Sequence, residues 1–210
     1  MESCRVSRTI RDLAANGARR MSNFAFVFSL LAIILGLGLA DVFGGLARAV
    51  KARPKVRIGW ATGLLALWII MRTALFWRLI WRTRDNFPDS SASLLGGVLI
   101  CGLYYLAGAL VFPDELQGRT DLDEYFMQEK AKAIGALLAA TALAYALRPA
   151  LIGWSSWSYM RWLDWTGLVV IFGAGSLAMV TKRRPLAISS LAVLVAHVVV
   201  AGVARTIWSI

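Results

Sequence analysis

Six apolar runs follow one another along this chain with little between them, at residues 22–47, 57–81, 93–112, 131–152, 163–181 and 185–207. A helix rises 1.5 Å per residue, so about 20 largely apolar residues cross the ~30 Å hydrocarbon core of a bilayer. In lipid, every backbone N–H and C=O must be satisfied within the spanning segment, which leaves helices as the solution for runs of this length. The sequence predicts an all-α fold, a polytopic transmembrane helix bundle of about six spans. With 210 residues in all, the connections are short and no soluble catalytic domain fits beside the bundle. The organisation is a basic N-terminal tail at 1–21 followed by a single bundle over 22–210.

The chain is 59% hydrophobic with a mean hydropathy of +0.64, well outside the soluble range. Its net charge of +11 does not indicate a nucleic-acid partner, because the basic residues gather at the ends of apolar runs, where they meet lipid headgroups. Membrane lipids are the partners this pattern implies. Cys4 and Cys101 lie far apart, one in the tail and one inside an apolar run, and form no disulfide framework or metal pair. The one histidine, His197, rules out a His-pair zinc site. It is thin support for haem or pigment, so the cofactor remains unknown.

In the tail, Arg5, Arg8, Arg11, Arg19 and Arg20 accompany Val6, Ile10 and Leu13 at near-helical spacing. Two readings stay open, an amphipathic helix on anionic lipid and an unstructured tail. The first apolar run reads as an uncleaved span. Beyond the small triplet Gly38-Leu39-Ala40 the helical pattern continues into basic residues, which a cleaved signal peptide would not do. Lys and Arg nearly tie between the two sides of a six-span topology. Giving weight to the short loops after spans one and five places both termini outside and the acidic segment 113–132 in the cytoplasm.

Three sets of residues stand out. Gly36, Ala40 and Gly44 in the first span, and Ala136, Ala140 and Ala144 in the fourth, recur every four residues and form smooth ridges that let another helix approach closely. Arg72, Cys101 and His197 form a candidate intramembrane polar layer. Counted from their shared loop side, Arg72 and His197 both lie at roughly 18–22 Å depth. Ionisable groups at mid-membrane cost about 2.5–3.5 kcal/mol or more and usually face a bundle interior or a cavity. The alternative is that Arg72 snorkels to the far interface and His197 only packs. Asp114, Glu115, Asp121, Asp123 and Glu124 form a candidate acidic partner or cation surface, with a solvated acidic face as its alternative. Asp121 followed by Glu124 also has the form of a capping box, opening a helix that feeds into the fourth span. The Gly-x-Gly-x-x-Ala string at 173–178 imitates a dinucleotide-binding turn. It sits inside an apolar run with no acid after Asp164, so it reads as glycines for helix packing.

A Gly-Leu-Gly-Leu helix at 36–39 leads through a basic loop into a second span rich in aromatics (Trp68, Phe76, Trp77, Trp81). Pro113-Asp114 follows the third span, and Tyr125-Phe126 comes after it. In these features residues 30–135 resemble a group of small uncharacterised multi-span inner-membrane proteins of Gram-negative bacteria. Residues 136–210 match only as membrane helix, and the basic tail departs from the group. The resemblance implies an α-helical bundle in the inner (cell) membrane and carries no activity. Taken together, the chain reads as a non-enzymatic subunit or scaffold that packs laterally with a membrane-protein partner or as a homo-oligomer. The alternatives are a small anion- or proton-handling transporter or channel protomer, and a lipid-modifying membrane enzyme, for which no nucleophile or metal set is evident.

Overall fold

The computed structural model describes residues 2–52, 57, 59–82, 84, 90–113, 121–152 and 162–207, with side chains placed over 24–52, 57, 59–82, 84, 90–113, 121–148 and 165–203. Six helices make up these residues: α1 Glu2–Lys51, α2 Trp60–Arg82, α3 Ser91–Ala109, α4 Leu122–Ile152, α5 Trp162–Val180 and α6 Arg184–Ile207. Five are long and apolar enough to cross a membrane. The protein is therefore a multi-pass α-helical membrane protein. The 19 residues of α5 give about 28 Å of helix, close to the hydrocarbon thickness. From Glu2 to Lys51 the chain forms one helix of 50 residues, so the basic segment before residue 22 runs straight into the first span.

The helices close a ring in the order α1, α3, α4, α5, α6, α2, and α2 also reaches across to α3 and α4. Helices α1 and α3 run parallel. Leu31 faces Gly97, Gly38 faces Tyr105 and Gly45 faces Phe112, a register kept over about four turns. Their closest approach is backbone on backbone. A Cβ on Gly108 would lie 2.8 Å from the Gly38 carbonyl oxygen, and one on Gly38 would lie 3.0 Å from the Tyr105 Cα. Helices α1 and α2 run antiparallel and are fixed by aromatic contacts. Phe28 meets the edges of Trp77 and Trp81 at 4.8 and 5.5 Å, and Phe24 meets Trp81 at 6.4 Å. Such pairs add about 0.5–1.5 kcal/mol beyond their area. Trp77 and Trp81 of the second span thus pack against a neighbouring helix.

The small-residue ridges face opposite ways. Ala136 and Ala140 of α4 are buried in the core. Gly36 and Ala40 of α1 are exposed, and nothing in the chain comes within 4 Å of a Cβ on Gly36. The face of α1 turned to the bundle is instead Leu31, Leu35, Gly38, Val42, Gly45 and Ala49. Gly173 and Gly175 lie inside α5, where Gly175 receives the Leu138 side chain. Gly175 is thus a helix-packing glycine, whereas Gly173 is exposed with nothing within 4 Å of a Cβ.

Candidate functional site

The connections after α1, α3 and α5 meet at one end of the bundle, and the first turns of α4 hold them together. The Leu122 N–H donates to the Arg57 carbonyl (3.2 Å). Asp121 precedes α4 and accepts from the Asp123 N–H (2.8 Å), as an N-cap residue does. Its other oxygen takes Nη1 of Arg184, at the start of α6 (3.2 Å). The residue before α2 is Gly59, whose carbonyl accepts the first intrahelical bond, from Gly63 (3.3 Å). An N-cap residue normally bonds the third helical N–H with its own side chain, and glycine has none. Asp123 supplies the group from another helix. Its Oδ1 accepts from the Thr62 N–H and lies 3.3 Å from the Thr62 hydroxyl, which also reaches the Leu122 carbonyl (3.1 Å). At the opposite kind of terminus, the buried Lys130 donates to the Thr181 carbonyl just past α5, where a cation complements the helix dipole.

Of the expected acidic surface, Asp121 and Asp123 bond within the chain, as caps for α4 and α2. Glu124 is exposed, and Asp114 and Glu115 lie outside the described residues. Among the described residues no cluster of His, Cys, Asp or Glu is arranged to hold a metal.

The intramembrane cluster is built by α2, α3 and α4. Arg72 is thirteenth of the 23 residues of α2, which puts it near mid-membrane. Its Nη2 donates to Thr141 Oγ1 on α4 (3.0 Å), and the Thr141 hydroxyl donates to the Leu137 carbonyl (2.8 Å). On α3 the Tyr104 ring stacks on Phe76 at 5.1 Å, one turn along α2 from Arg72. Cys101, fully buried, stands one turn from Tyr104 on the same face of α3. Of the expected layer, Arg72 bonds Thr141 on α4 and Cys101 is buried on α3. His197 is placed differently. Its Nε2 lies against α5, 3.1 Å from where a Cβ on Gly167 would be.

Sequence reasoning missed Trp68, Thr141 and the role of Tyr104. Trp68 sits four residues before Arg72, on the same face of α2, and is fully buried. Neither its Nε1 nor the Arg72 Nε finds an acceptor among the described residues. The i, i+4 spacing of Trp68 and Arg72 was the signal available in the sequence.

A second feature lies on the outside. Asp41 belongs to the spanning part of α1, Phe24–Lys51, about 15 Å along the helix from Lys51. It is exposed beside Ala40, and no side chain among the described residues pairs with it. Arg48 folds its guanidinium back over Gly44. Comparison with protein-family models, with curated proteins and with solved structures finds no match for this chain.

Proposed function

We propose that this protein is a non-enzymatic subunit or scaffold of the bacterial inner membrane that packs laterally, through the outer face of α1, against a helix of a neighbouring membrane protein. The observation that carries this reading is Asp41, an exposed carboxylate in a spanning helix, beside the exposed Gly36 and Ala40 and the half-buried Gly44. Ionisable side chains within spans face a bundle interior or pair with one another. The outer surface of a lone bundle offers Asp41 neither. Small residues let a second backbone come close, and polar side chains across such a contact contribute about 1–2 kcal/mol at most. The partner helix is therefore one with small residues and a hydrogen-bond donor or basic side chain level with Asp41. The compartment rests on the resemblance of residues 30–135 to Gram-negative inner-membrane proteins, and the dense basic charge of the loops after α1 and α5 supports a cytoplasmic position for that end.

Native mass spectrometry from nanodiscs tests the assembly. The wild type is expected as a defined complex heavier than one 23.0 kDa chain. Ala40→Leu and Asp41→Leu are each expected to weaken it roughly five- to thirtyfold while leaving the thermal stability of the bundle unchanged. A complex made only of this chain would identify α1 of a second copy as the partner helix. A monomeric wild type, or complexes indifferent to both substitutions, would overturn the proposal.

A further inference from the structure

We infer that the Arg72–Trp68 face of α2 is a binding site for a small monovalent anion, enclosed by Thr141 and Tyr104. The inference is independent of the lateral packing proposed above and rests on the inventory of donors. Arginine is a cationic side chain, so Arg72 brings a positive charge to the middle of the span. The group that meets it, Thr141 Oγ1, solvates the guanidinium but carries no net charge, and Tyr104, stacked on Phe76 one turn away, carries none either. No carboxylate among the described residues pairs with it. What is left over is also one-sided. The Arg72 Nε and the Trp68 Nε1 are buried without an acceptor, and both atoms are donors only. They lie one turn apart on a single helix face, and Trp68 is fully buried.

Two orphaned donors and an uncompensated cation call for a single kind of occupant. A carbonyl-like acceptor satisfies the donors but leaves the charge. A water molecule does the same and adds protons that need acceptors of their own. A halide-sized anion accepts from every donor at once and cancels the charge, in a setting where charge-assisted hydrogen bonds are strong. The Thr141 hydroxyl holds the guanidinium in place beside it.

The test uses the full chain, purified and reconstituted in nanodiscs, with thermal unfolding followed as sodium chloride or sodium bromide replaces sodium gluconate at constant ionic strength. Gluconate, a far larger anion than either halide, is the reference. The wild type is expected to show a saturable rise in midpoint with either halide, following the linkage of ligand binding to stability. Trp68→Phe keeps the ring and removes one donor, and is expected to raise the half-saturating halide concentration roughly tenfold or more. Arg72→Gln is expected to abolish the halide effect. Should Arg72→Gln fail to fold, Arg72→Lys keeps the charge without the Nε donor and is expected to weaken binding as Trp68→Phe does. A wild type without halide dependence, or one whose dependence survives unchanged in Trp68→Phe and in the folded Arg72 variant, would overturn the inference.

Discussion

Gly108→Leu is expected to separate α1 from α3 and to cost roughly 3 kcal/mol or more of bundle stability, above the usual range for overpacking. At Gly108 the obstacle is not a side chain that can turn away. The first carbon would lie 2.8 Å from the backbone oxygen of Gly38, and the whole of one helix must move to admit it. Because Leu31 on Gly97 and Phe112 on Gly45 share the same register, that movement disturbs contacts over about four turns. Unfolding titrations in mixed detergent, read by tryptophan fluorescence, measure the loss. Gly36→Leu, on the outer face of α1, is the control. Its Cβ meets nothing within 4 Å, so the isolated bundle is expected to keep its stability.

Gly59→Ala is expected to be damaging only while Asp123 is present. A Cβ at Gly59 would fall on the Asp123 carboxylate, 1.8 Å from its Cγ, and would expel the group that caps α2. Losing an N-cap costs about 1 kcal/mol, within a range of about 0.5–2, and Asp123→Ala is expected to cost the same. In the double variant no carboxylate remains to be displaced, so Gly59→Ala adds little to Asp123→Ala. The same titration on the two single variants and the double variant checks this. Additive losses would mean that Gly59 is required for its own backbone and that the cap acts independently of it.

The six spans were legible because their lengths match the bilayer. The second run, 57–81, became Trp60–Arg82, and the sixth, 185–207, became Arg184–Ile207. The helix opening at Asp121 and feeding into the fourth span was legible too, since Asp121 caps it and α4 runs unbroken from Leu122 to Ile152. The direction in which each face points was not. In water a helix declares its buried side by alternating with polar residues. In lipid both sides are apolar, and the four-residue stripes at Gly36–Gly44 and Ala136–Ala144 look alike although one faces out and the other largely in. For the same reason a depth count placed Arg72 and His197 at one level without giving their azimuth. Arg72 turns to Thr141, and His197 to Gly167. The bonds of Asp121 and Asp123 were not legible because they are made to helix ends. Gly59, which leaves α2 open to Asp123, resembles any loop glycine in the sequence.

The central claim is that the outer face of α1 meets protein where the rest of the outer surface meets lipid. Photo-crosslinking in intact membranes tests it directly, with a photoreactive residue placed at Ala40 of α1, and in separate variants at the exposed Val169 of α5 and Val193 of α6. The expected result is a discrete protein adduct from position 40, lost when Asp41→Leu is added, and lipid adducts alone from positions 169 and 193. Lipid adducts alone from position 40 would contradict it.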